Sequence, residues 1–174
     1  MKKKTLWIAE TAVMIALLVA LQGLTKPAGQ FVTGSCVNLI LGVSTLVGGL
    51  WCGFTVALLS PFFAFLLGIG PALIQIVPAI AVGNIALVVL LWFICRKKVG
   101  LNVRCYGGAV VASVFKFAVL YSLVVLLLLP LLGLPEKQVA MMSAMFSWPQ
   151  LVTALIGSIL AVTIAPAIRK ALRR

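Results

Sequence analysis

Between positions 120 and 132 the chain reads LYSLVVLLLLPLL, a run with no charge and no polar face at either helical or strand period. A segment apolar on every side offers water no surface, so it belongs inside a large protein or inside a bilayer. Composition decides between the two. Of 174 residues, 64% are hydrophobic and 9% charged, against roughly 25% charged in a soluble domain. So few charges cannot cover a water-facing surface. In lipid every backbone polar group must find its partner within the protein, which leaves helices or a closed barrel. Barrel strands alternate apolar and polar residues and these runs do not. The expected fold class is an all-α integral membrane protein. At roughly 20 residues per crossing, the length accommodates six or seven spans and leaves no separate soluble domain.

The net charge of +12 comes from 14 cations and two acids. Their placement argues for topology and against nucleic acid. Lys2, Lys3 and Lys4 precede the first apolar run, Arg96, Lys97, Lys98 and Arg104 occupy one gap, and Arg169, Lys170, Arg173 and Arg174 close the sequence. Cations gathered at span ends mark the cytoplasmic side and favour an anionic leaflet. The first apolar run resembles a signal peptide in its basic start. Glu10 interrupts it, however, and it extends to Leu24, so it reads as a retained helix.

Helices are expected at about 5–24, 35–50, 53–67, 76–94, 106–129 and 149–168, a six-helix bundle with both termini in the cytoplasm. The stretch 35–67 admits one long broken segment or two helices. Only two crossings put the basic 96–104 gap on the same side as the basic start, so two are expected. The glycines and proline of LGIGPALIQI (67–76) break the chain on the outer side. Pro78 falls in a first helical turn, where its missing N–H costs little. The Met-rich part of 130–149 suits a short helix at the interface. No internal repeat is evident, which disfavours an inverted-repeat transporter within one chain.

Two strips of small residues stand out. Ala12, Ala16 and Ala20 lie four apart, with Ala9 before them and Gly23 after. The last helix carries Ala154, Gly157, Ser158, Ala161 and Ala165. In lipid such strips let another helix approach closely, whether from the same chain or from a partner. Lys116 is the one strong charge deep in a span, roughly 16 Å from the inner end of its helix at 1.5 Å per residue. An ammonium there costs at least about 2.5 kcal/mol unless it finds water or a partner. It either faces a solute cavity or pairs with Glu10. Asn38, Gln75, Asn84, Tyr121, Trp148 and Gln150 gather toward the outer half and outline a pocket with donors and acceptors for a small polar solute. Lys116 and Tyr121 are about 140° apart around the helix, whereas Ser113 and Leu120 share the Lys116 face.

Several functions lack their parts. There is no GxxxxGK[ST] phosphate loop. With no histidine, only two acids and four cysteines without paired spacing, neither a zinc site nor acid–base catalysis is expected. The chain is therefore read as no enzyme and as needing no cofactor.

The whole chain resembles a substrate-binding S component of an energy-coupling factor (ECF) transporter, the vitamin importers of bacteria. The resemblance rests on its size, six expected helices with basic inner ends, and a first helix reading KKKTLWIAETAVMIALLVALQ with its AxxxAxxxA strip. A glycine-bearing first outer loop and a polar-studded second half add to it. It implies a location in the bacterial cell membrane. It also implies that the Ala12/Ala16/Ala20 face docks on a transmembrane coupling subunit carrying two ATPases. The solute would bind between helices 4, 5 and 6, under lids near 25–34 and 68–75, and the loaded subunit would topple in the bilayer. Pantothenate-, pyridoxine- and hydroxymethylpyrimidine-like compounds suit the residues. Two rival readings stand beside it: a membrane scaffold without a solute, and a self-sufficient oligomeric transporter or channel.

Overall fold

A computed structural model describes residues 3–96 and 101–172; the side chains of Lys3 and Lys4 and the cations Lys2, Lys97, Lys98, Arg173 and Arg174 lie outside what it describes. The described residues form helices α1 (Lys3–Thr25), α2 (Gln30–Gly48), α3 (Leu50–Leu66), α4 (Val77–Cys95), α5 (Val103–Leu120), α6 (Glu136–Met145) and α7 (Trp148–Ala171). Beyond α5 the helix continues as a wider π-helical stretch, Tyr121–Leu128, and one further α turn to Leu131. Five segments are long and apolar enough to cross a membrane, and α3 is a shorter apolar helix. At 1.5 Å per residue α3 spans roughly 25 Å, near the lower limit for crossing.

Glycines set the helix directions. Residues eight apart in one straight helix stand about 12 Å apart, yet a Cβ added at Gly53 would collide with the side chain of Thr45. The chain therefore folds back between them, turning at Gly49, where φ is 90° and a side chain would be strained. The stretch 35–67 is thus two helices. Helix α2 begins five residues earlier than expected, at Gln30, because the break falls at Gly29, also at φ 90°.

Helices α2 and α7 run side by side in the same direction. Gly34 meets Thr153, Gly157 meets Asn38 and Gly42 meets Ala161, with a Cβ at Gly34 falling 2.9 Å and one at Gly157 2.5 Å from its neighbour. The constant offset of these pairs requires parallel axes. Helices α4 and α5 are antiparallel: Gly83 lies under Leu120 at one end and Gly108 under Ile94 at the other. Helix α2 is central, touching α1, α3, α4 and α7. A main apolar cluster, including Leu41, Leu87, Leu91 and Val162, fills the middle of the bundle, and a second, including Ile76, Leu120, Val124 and Phe146, lies toward one end. The α2–α3 turn, Arg96, Arg104 and Arg169 share the opposite, basic end.

The Met-rich helix α6 packs against α7 and the π-helical stretch. Its Met142 is buried, so this segment is a cap on the bundle with an apolar side turned inward.

Candidate functional site

The α4–α5 pairing sets Asn84 beside Lys116, and the close α2–α7 approach presses Asn38 inward. As a result the Lys116 ammonium donates to Asn38 Oδ1 at 2.6 Å and to Asn84 Oδ1 at 2.7 Å. All three residues are buried, at 3%, 2% and 2% exposure. Asn38 is held in this orientation because its amide N–H donates to Gly34 O at 2.8 Å. Two carbonyl dipoles solvate the ammonium without neutralising it, and one of its three N–H groups is left over.

The cluster forms the floor of a cavity of about 340 Å³. That is the size of a small-molecule site at the lower end of the usual range. Its sides come from the end of α1 (Gln22) and the connection after it (Lys26), the start of α2 (Gln30, Thr33, Gly34), the 67–76 connection (Ile69, Gly70, Pro71), and the apolar Ile80, Leu120 and Phe146. Among the described residues no carboxylate lines it; the cations Lys116 and Lys26 do. Across the mouth, Lys26 Nζ donates to Gly68 O at 2.9 Å, tying the connection after α1 to the one before α4. A second tie runs from Gln30 Nε2 to Met145 O at 2.6 Å, and Gln150 Nε2 reaches the same carbonyl at 3.3 Å.

Of the residues singled out from sequence, Lys116, Asn38, Asn84 and Gln150 come together around this cavity. Three do not line it. Gln75 is exposed, on the short 3₁₀ turn before α4. Trp148 is 61% exposed and packs against Phe31 with the rings tilted at 42° and their centroids 5.4 Å apart. Tyr121 begins the π-helical stretch and lies on Phe117 at 5.8 Å. Leu120, on the Lys116 face, is the α5 residue that lines the wall beside it. Ser113 sits buried on that face as well, joined to Ser158 of α7 at 3.0 Å. The wall also spreads beyond helices 4, 5 and 6, since α1 and α2 supply much of it. Gln30 and Thr33 carried no signal beyond their place in the polar 25–34 segment, and Gln22 none beyond lying in the last turn of the helix before it.

The small-residue strips have different surroundings. In α7, Ala154, Gly157, Ser158, Ala161 and Ala165 are all buried against neighbouring helices. In α1, Ala9, Ala12, Ala16 and Ala20 are exposed along one face, while Thr11 and Leu18 turn into the bundle.

Residues 7–169 match the family model described as ECF transporter, substrate-specific component. The chain belongs to this family. No curated protein and no solved structure matches the chain. Membership makes it a multi-pass membrane protein and the substrate-binding subunit of a transporter.

Proposed function

We propose that this S component captures a small, water-soluble, anionic or hydrogen-bonding vitamin or precursor in the cavity floored by Lys116, with carboxylate-bearing pantothenate-like compounds first among the candidates and the uncharged pyridoxine- or hydroxymethylpyrimidine-like compounds next. One observation carries the reading: a buried ammonium, held by two amide oxygens and faced by no carboxylate, floors a cavity that opens at one end of the bundle. A carboxylate guest supplies the missing counter-charge and takes the remaining N–H. A charge-assisted hydrogen bond of this kind contributes about 1.5–3 kcal/mol. Lys116, Asn38, Asn84 and Gln150 are the proposed contacts. Gln75, Tyr121 and Trp148 lie off the wall and fit support of the surrounding helix ends.

In this reading the basic end is cytoplasmic, with both termini there, and the cavity opens outward from a bacterial plasma membrane. The exposed Ala12, Ala16 and Ala20 face receives a transmembrane coupling subunit with two ATPases, because small side chains let a partner helix approach closely in lipid. A scaffold without a solute has no use for a charged cavity floor. The test is mass spectrometry of small molecules that co-purify with the detergent-solubilised chain, followed by titration of the compound found. An anionic metabolite is expected, bound about 10- to 100-fold more weakly by Lys116→Met. Undiminished affinity in that variant would refute the role of the ammonium.

A further inference from the structure

At the opposite end of the bundle lies a second, smaller recess of about 50 Å³, walled by Thr45, Leu46, Gly49, Trp92, Arg96 and Arg169. Its two cations come from helices far apart in sequence, at the ends of α4 and α7. Arg96 is held in place by its aromatic neighbours, with its guanidinium 5.2 Å from the Trp92 ring centre and 5.3 Å from that of Phe93. Arg169 is half-buried, and its Nε is a buried donor with no hydrogen-bond partner among the described residues. A buried N–H left without an acceptor is uncommon and unfavourable.

Among the described residues no carboxylate lines this recess. Arg96 and Arg169 both line this small space, where an anion would offset the repulsion between the two like charges. The first turn of α3 opens from Gly49 on the same wall and has no side-chain cap, so backbone N–H groups stand beside the two cations as further donors. The volume suits a tetrahedral oxyanion or a few waters and excludes a ring system. Guanidinium forks match phosphate oxygens in pairs.

We propose that the Arg96–Arg169 recess is a phosphate-group site, independent of the solute cavity. It takes the headgroup phosphate of an anionic phospholipid at the membrane surface, or a free phosphate of the same chemistry. Occupancy satisfies the orphan Arg169 Nε and fastens the α2–α3 turn to the ends of α4 and α7.

The test uses the full chain in detergent. Native mass spectrometry with added phosphatidylglycerol or phosphatidylcholine reads lipid adducts, and thermal melting with inorganic phosphate reads the free anion. Expected is retention of phosphatidylglycerol over phosphatidylcholine, reduced at least tenfold in Arg169→Gln and in Arg96→Gln. A control carrying Arg104→Gln and Lys170→Gln removes two cations that do not line the recess and is expected to retain the lipid. Stabilisation by inorganic phosphate in wild type, lost in Arg169→Gln, assigns the site to the free anion as well; lipid retention without it assigns the headgroup alone. Equal losses in the control and in Arg169→Gln, or no preference for any phosphate ligand over phosphatidylcholine, would overturn the proposal.

Discussion

Helices α1 and α7 carry nearly the same pattern of small residues, and the fold uses them in opposite ways. In α7 the strip is consumed inside the chain: Gly157 lies against Asn38 and the backbone of α2, and Ala161 against Gly42. In α1 the strip looks outward, with Ala12, Ala16 and Ala20 exposed. The difference comes from what lies on the other faces. Helix α7 packs on α5 as well as on α2, with Ser158 joined to Ser113 and Val162 buried. Helix α1 satisfies its contacts with Thr11, Leu18 and a few half-buried residues. Spacing therefore identifies a close-approach surface, and only packing identifies who approaches.

Substitution separates the two strips. Gly157→Leu would drive a side chain into α2 backbone, where Ser35 O and Leu39 N already lie 2.6 and 2.7 Å from the position of a Cβ. Overpacking there is expected to cost about 3 kcal/mol or more and to abolish a cooperative melt in detergent. Gly42→Val drives a side chain into the Cβ of Ala161, with Leu91 Cδ2 3.6 Å and Ala161 Cα 4.0 Å from the position of its own Cβ, but meets no backbone N–H or C=O. It is expected to lower stability by about 2 kcal/mol, read as a lower melting temperature with the fold retained. Ala16→Leu is the opposite case. A change within about 0.5 kcal/mol is expected in the isolated chain, with solute affinity unchanged and co-purification with the coupling subunit lost. If Ala16→Leu instead unfolded the chain or emptied the solute site, the two strips would be doing the same job and the comparison would collapse.

Much of the helical layout could be read in the sequence, because apolar runs and basic ends are local signals. Depth along a helix was legible too. Lys116, Asn38, Asn84 and Gln150 were placed at compatible levels, and the fold gathers them around one cavity. Direction around a helix was harder. Tyr121 stands at the level of the cavity but turns onto Phe117, a divergence that its five-residue separation from Lys116 already indicated. Trp148 and Gln75 sit at helix starts, where the choice between wall and surface depends on the neighbouring connection. Gln30 and Met145 were not legible at all, since their tie joins residues 115 positions apart.

The chain order of the Lys116 cluster has a consequence for how the molecule is made. Asn38 and Asn84 both precede the lysine, so a ribosome threading helices into the bilayer one after another delivers the two acceptors before the ammonium they receive. The costly group never has to wait in hydrocarbon for a mate still being synthesised. The groove on α2 has the contrary schedule, lying open at Gly34 and Gly42 until the final helix emerges to fill it.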